Sequence, residues 1–216
     1  MTGAPKERNT ERNAGRVLVL NCLPKGGQTR LDGAGTLQLA LLGAAAQRTV
    51  TLDRLVDVVW CLAGGTWSPS GEIVHDALQR ATRAGLVAAR ESWVKSVLFL
   101  YVLTPSGAQR FAELMRLPLP DHDDPAACAA ASVKYGLLDL VEPADALAVT
   151  SDLRRFYLAC RASLEERRTS LPPHRRFLDR CASERQAWID FRIDALDEFN
   201  TEVSRRALPQ AASSAS

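Results

Sequence analysis

The chain has 216 residues, 46% apolar and 24% charged, with a net charge of +2. That composition is ordinary for one large or two small globular domains, and the bulk charge alone does not announce nucleic acid. No apolar run approaches the about 20 residues needed to cross a bilayer, 17–23 is too short for a signal-peptide core, and Pro24-Lys25-Gly26-Gly27 is no cleavage site. A cytoplasmic location and no membrane partner are therefore expected.

The five cysteines (Cys22, Cys61, Cys128, Cys160 and Cys181) lie far apart, form no CxxC pair and are odd in number. Neither a disulfide framework nor a zinc site has that pattern, so reduced core cysteines are the expectation. Lys and Arg outnumber Asp and Glu through residue 116 and are outnumbered after it. A nucleic-acid-binding first half joined to a second half of another role has this asymmetry, as do many neutral proteins.

Residues 1–16 are polar, carry Lys6, Arg8, Arg12 and Arg16, and show no apolar period. With the short apolar segment 17–23 they make up an expected N-terminal arm, 1–31. Such an arm is either a solvated tail or a strand of chain that touches DNA phosphates or a minor groove. Segment 17–23 is either a short strand or a helical turn, and Pro24 with the glycines up to Gly35 separates it from the next element.

Residues 36–47 are rich in Ala and Leu and read as a buried helix. Thr49 or Thr51 then caps a second helix, with Leu52, Leu55, Val56, Val59 and Leu62 on one face and Gly64-Gly65 at its close. Trp60 and Trp67 flank that close, where packing is their default role. A third helix begins after Ser68-Pro69-Ser70, a cap with Pro near the first turn. Its inward face is Ile73, Val74, Ala77, Leu78 and Ala81. Its outward face is Glu72, His75, Asp76, Gln79, Arg80 and Arg83, and Gly85-Leu86 ends it in a Schellman turn. Segments 86–91 and 96–104 read as two strands around a turn at 92–95. Thr104-Pro105 caps a further helix with Phe111, Leu114 and Met115 on one side.

Three helices and a hairpin in that order make a winged helix-turn-helix, in which the third helix enters the major groove. The expected fold is mainly α with a small β-hairpin wing. It comprises a winged helix DNA-binding domain at 32–117, a Pro-bounded linker at 118–125, a C-terminal helical dimerisation domain at 126–204 and a disordered tail at 205–216. Asp121, His122, Asp123 and Asp124 sit in the linker. Adjacent side chains there cannot all converge on one ion, so linker and helix cap are preferred to a metal site.

In the second half, 126–141 is apolar and helical in pattern. Thr150 or Ser151 starts a helix bearing Leu153, Phe156, Tyr157, Cys160 and Leu164, which ends before Pro172-Pro173. A last helix at 174–203 carries Phe177, Cys181, Trp188, Phe191, Ala195, Phe199 and Val203 at steps of three, four and seven, a coiled-coil-like seam that needs a partner.

At these residues the chain resembles the PadR family of bacterial transcriptional regulators. The resemblance lies in Ser68-Pro69-Ser70, in Ala77-Leu78 through Gly85-Leu86-Val87, in Tyr101-Val102-Leu103-Thr104-Pro105-Ser106-Gly107, and in Lys134-Tyr135-Gly136-Leu137-Leu138-Asp139-Leu140. It covers roughly residues 36–203. The chain departs from the family pattern at Leu52-Asp53-Arg54, at His75 where a Tyr is frequent, and at Val97 to Leu100 where basic residues usually precede the Tyr.

The resemblance implies a homodimeric transcriptional regulator, most often a repressor, that binds double-stranded operator DNA and is released by a small-molecule effector. The candidate DNA contacts are Ser68, Ser70, His75, Gln79, Arg80 and Arg83 on the third helix and Arg90 and Lys95 on the wing. Gln can read adenine and Arg guanine, and either Arg can equally hold phosphate. The candidate dimer residues are Phe177, Cys181, Trp188, Phe191 and Phe199. Trp188, Phe191 and Tyr157 line either an effector cavity or, by preference, packed dimer core. No P-loop, GxGxxG or HExxH occurs and no Cys or Ser has an evident base, so neither an enzyme nor a cofactor is expected. The rival reading is a winged helix used for protein–protein assembly alone.

Overall fold

The computed structural model describes residues 29–47, 50–65, 67–91, 99–169 and 176–213. Helix α1 (Gly33–Gln47) is buried along most of its length and is the post around which the first half is built. Helices α2 (Leu52–Leu62), α3 (Gly71–Arg83) and α4 (Pro105–Arg116) pack round it, and strands β1 (Val87–Glu91) and β2 (Phe99–Leu103) form an antiparallel hairpin between α3 and α4. The register runs from Val87 opposite Leu103 to Glu91 opposite Phe99. Thr51 caps α2, and the residue before it, Val50, pairs with Tyr101 through two backbone bonds of 3.1 and 2.9 Å. The start of α2 is thereby tied to the wing.

The second half contains α5 (Ala127–Gly136), a 3-10 turn (Leu138–Leu140), α6 (Pro143–Thr169) and α7 (Arg176–Ser213). The apolar stretch 126–141 is thus broken at Gly136 rather than continuous. Helix α6 begins at Pro143, earlier than the expected Thr150 or Ser151. Pro is suited to a first helical position, where no N–H is required, and the Glu142 carbonyl accepts from Ala146 N–H at 3.0 Å. Thr150 lies inside the helix, fully buried. Its hydroxyl bonds back to the Ala146 carbonyl at 2.9 Å and contacts the Asn200 side chain on α7. Helix α7 runs on to Ser213, into the expected disordered tail. Ala207, Leu208, Gln210, Ala211 and Ala212 are all good helix formers.

The halves are not separated by a loose join. Residues from Leu31 to Leu196 belong to one continuous core, and α5 packs on α1 and α2. Leu31, assigned by its sequence to the arm, is fully buried and its N–H bonds to the Pro118 carbonyl at 2.9 Å. The segment 118–125 is bonded on both sides. Leu119 N–H donates to Asp152 at 3.1 Å, and Arg30 pairs with Asp121 at 2.6 Å. Buried Lys134 on α5 donates to the Leu117 carbonyl and lies 3.7 Å from Asp152. Burial pushes its pKa down to about 8, against the pull of Asp152.

Candidate nucleic-acid interface

Helix α3 is fixed at both ends by the local chemistry its sequence announces. Ser70 is extended, and its hydroxyl accepts from Ile73 N–H at 3.4 Å. At the other end Gly85 takes φ +70°, a conformation that penalises a side chain. Leu86 N–H bonds to the Ala81 carbonyl at 2.9 Å and Gly85 N–H to the Thr82 carbonyl at 3.0 Å, the two bonds of a Schellman turn.

A third device locks α3 to the wing and to α4. The Thr104 hydroxyl accepts from Gly107 N–H at 3.0 Å, capping α4. The same hydroxyl reaches the Gly85 carbonyl at 2.7 Å and the Leu86 carbonyl at 3.0 Å. Gly107 permits this contact, because a Cβ there would lie 2.0 Å from the Leu86 carbonyl oxygen. The Leu-Thr-Pro-x-Gly element therefore sets the angle between α3 and the hairpin.

Val74, Ala77, Leu78 and Ala81 are buried, and α3 packs on α1. Ile73, expected on the inward face, is 38% exposed, since helical steps place it at the edge beside Arg80. Glu72, His75, Asp76, Gln79, Arg80 and Arg83 are all exposed, as are Ser68 and Ser70. Three of them form a chain along the axis. Gln79 Nε2 lies 2.9 Å from His75 Nε2, and Arg83 Nη2 donates to Gln79 Oε1 at 3.2 Å. Both functions of the Gln79 amide are thus engaged, and reading a base with it requires those bonds to be exchanged. Glu72 near the start and Arg80 and Arg83 in the last turn also complement the helix dipole.

Between α3, the start of α2 and the wing runs an open groove of about 770 Å³, lined by Leu52, His75, Gln79, Arg83, Phe99 and Tyr101 among others. Phe99 is 48% exposed at the outer end of β2. Leu52, Phe99 and Tyr101 were not legible as site residues, because hydrophobicity marks them as core. Arg90 is exposed on β1 but not beside these side chains. The groove is lined by Ala89, and alternation along a strand sends Arg90 to the other face of the hairpin. Lys95 lies outside the described residues.

Among the described residues no ion pair holds Arg80, Arg83 or Arg90, whereas Arg154 pairs with Asp197 at 2.9 Å, Arg161 with Asp190 at 3.4 Å and Arg167 with Asp123 at 3.2 Å. Pairing is not confined to the second half: Arg54 pairs with Asp57 at 3.7 Å and Arg110 with Glu113 at 3.1 Å.

The aromatic stripe of α7 divides. Trp188 and Phe199 pack on the chain's own core, while Phe177 is 79% and Phe191 65% exposed and Cys181 is exposed. The inward stripe is Ile189, Ile193 and Leu196, each buried, which the aromatic residues had obscured in the sequence. Trp188 meets Tyr157 edge-on at 5.8 Å, with the Arg185 guanidinium 4.6 Å from the Trp188 ring centre, and Arg192 stacks 3.8 Å over Tyr135. Tyr157, Trp188 and Phe191 therefore do not line one cavity. None of the four described cysteines is fully buried, contrary to expectation: Cys61 and Cys181 are exposed, and Cys128 and Cys160 are half-buried. Among the described residues no group of three or more His, Cys, Asp or Glu gathers as a metal ion requires, and no helix is long and apolar enough to cross a membrane.

No protein-family model matches this sequence, and no curated protein is similar to it. The comparison with solved structures does find matches, at low identity and low TM-score. Bacillus subtilis PadR in complex with operator DNA is 16% identical over 77% of this chain and 98% of that one, with a TM-score of 0.38. The same protein with p-coumaric acid is 16% identical over 80% and 98%, with a TM-score of 0.37. A PadR-like transcriptional regulator from Bacillus cereus is 14% identical over 79% and 99%, with a TM-score of 0.35. The mainly helical architecture with one hairpin wing is read from the chain's own elements.

Proposed function

We propose that the protein is a sequence-specific, double-stranded-DNA-binding transcriptional regulator that acts as a homodimer, with α3 in the major groove and the wing beside it. The observation that carries this reading is the cationic end of α3, Arg80 and Arg83, on a helix held rigid at both ends. Arg80, Arg83 and Gln79 contact bases or phosphates, and Ser68 and Ser70 offer hydroxyls at the helix start. His75 acts through Gln79. Arg90 and Lys95 reach the backbone from the wing. Exposed Phe177 and Phe191 on α7 supply the self-association surface, together with Cys181. Two copies joined there present two α3 helices about 34 Å apart, one turn of duplex. The regulatory sense is repression, relieved when a small-molecule effector favours a dimer spacing that no longer fits the operator.

A second reading has its own support. The groove beside α3 is lined by Leu52, Phe99 and Tyr101, and Glu72 and Asp76 share the exposed face. An apolar, partly acidic surface of this kind suits a protein partner better than phosphate. Capture of fragmented genomic DNA from the source, with sequencing of the bound fraction, decides between them. A regulator enriches a small set of near-palindromic sites. No enrichment over bulk DNA supports the assembly module.

A further inference from the structure

Consecutive residues at the exit of α4 are each held by a different partner. Arg116 pairs with Asp145 on α6 at 2.6 Å. The Leu117 carbonyl accepts from Lys134 Nζ on α5. The Pro118 carbonyl accepts from Leu31 N–H at 2.9 Å, and Leu119 N–H donates to Asp152 on α6 at 3.1 Å. Asp152 also lies 3.7 Å from Lys134 and accepts from exposed Arg155. Lys134 is only 1% exposed, so its amino group has left water. We propose that Lys134 is a positioning residue and a proton-sensitive latch: its buried amino group ties the exit of α4 to α5 and α6, and the tie tightens as that group loses its proton.

The surroundings give Lys134 little to answer its charge. Helix α5 packs on α1, α2, α6 and the 3-10 turn. Helix α1 carries no charged residue. On α2, Asp53, Arg54, Asp57 and Cys61 are exposed, as is Asp139 on the turn. On α5 itself Tyr135 lies under Arg192 of α7, and Cys128 accepts from Arg185. Asp121, beyond the exit of α4, is engaged by Arg30, and Asp145 on α6 by Arg116. Asp152 is the carboxylate that acts on Lys134, and Arg155 competes for it. One carboxylate shared with a second cation does not offset the lost hydration, and burial leaves the Lys134 pKa at about 8.

Opening the latch returns Lys134 to water, where a lysine titrates at about 10.4. Between about 8 and about 10.4 the closed state therefore holds fewer protons than the open one, and closure gains as pH rises through that range. The neutral amine still has an N–H for the Leu117 carbonyl, so losing the proton removes the cost of a buried charge without removing the tie. Helix α4 also carries the Thr104 and Gly107 contacts that set the angle of α3 to the wing. The latch thus governs how firmly the helical half is held against that unit.

The test is native-state hydrogen exchange on the full chain, followed residue by residue by NMR and corrected for the intrinsic pH dependence of exchange. Opening read at the Leu119 amide falls about tenfold between about pH 6.5 and about pH 9. The most protected amides of α1 report global unfolding, and Leu119 opens about tenfold or more ahead of them. Lys134→Met keeps an unbranched side chain and abolishes the pH dependence at Leu119. Asp152→Asn keeps an acceptor for Leu119 N–H, withdraws the charge that favours the ammonium and moves the fall to lower pH, which decides the matter should Lys134→Met not fold. Opening at Leu119 that is constant with pH or rises with it overturns the proposal. So does exchange of Leu119 only through global unfolding, or a pH dependence that survives in Lys134→Met or stays in place in Asp152→Asn.

Discussion

Helices α3 and α7 each leave one face unpacked, and the two faces are chemical opposites. The open face of α3 carries His75, Gln79, Arg80 and Arg83, which water solvates well. The open part of α7 carries Phe177, Leu178 and Phe191, which water solvates poorly. A polar face can stay bare until its ligand arrives, whereas isolated large apolar groups on a long helix gain free energy whenever something covers them, at about 25 cal/mol per Å². Their supports differ in kind too. Ser70, Gly85, Thr104 and Gly107 fix α3 through short backbone bonds. Helix α7 is held by side chains: the Ile189, Ile193 and Leu196 stripe, ion pairs to α6 and stacked arginines. A reading element needs its angle defined. A docking element needs area.

The contrast can be broken most severely at α7. Ending the chain before His174 removes that whole inward stripe from α6, so light scattering should find a monomer or an insoluble chain, and a well-folded dimer would contradict the role given to α7. Next in size, Arg80→Ala with Arg83→Ala should abolish operator binding in a gel shift while the dimer persists, each lost base contact costing about 1–3 kcal/mol. Phe177→Asp with Phe191→Asp should do the reverse at the first level, halving the mass in solution with helical content unchanged. Should Arg80→Ala with Arg83→Ala also halve the mass in solution, the division of labour between α3 and α7 fails.

Smaller effects probe the supports. Thr104→Val leaves Gly107 N–H uncapped and withdraws the hydroxyl from the Gly85 and Leu86 carbonyls, so denaturant unfolding should show a loss of about 1–2 kcal/mol. Least of all, Asp145 pairs with Arg116 at 2.6 Å across α4 and α6, and the bond holds its carboxyl below the ordinary range. A carboxyl with a lowered folded pKa stabilises the protein above its unfolded value and loses that contribution as pH falls through the folded one. Asp145→Asn should therefore be slightly less stable than the parent near neutrality, and the two curves should converge in acid.

How much the sequence reveals depends on the range of the interactions. The ends of α3 were legible because Ser70 and Gly85 act on backbone groups within five residues, and the Thr104-Pro105 restart was legible for the same reason. Side-chain partners distant in the chain were not. Nothing local tells that Thr150 meets Asn200 or that Leu31 belongs to the core. On α7 the aromatic residues carry the strongest hydrophobic signal, yet the branched residues Ile189 and Ile193 face inward and Phe191 does not. Periodicity found the helix and a stripe for association, but not the stripe that packs on the chain's own core. The wing was legible as a hairpin, but the groove formed by Leu52, Phe99 and Tyr101 needs three elements in place before it exists.

The most direct test of the central claim is the salt dependence of binding to a captured DNA site. For a protein that neutralises phosphates, the logarithm of affinity falls linearly with the logarithm of salt concentration, by about 0.9 for each phosphate contacted. The parent protein should show a steep line, and Arg80→Ala with Arg83→Ala a weaker affinity and a shallower one. An affinity indifferent to salt, or a slope unchanged by removing both arginines, would contradict a DNA-reading role for α3.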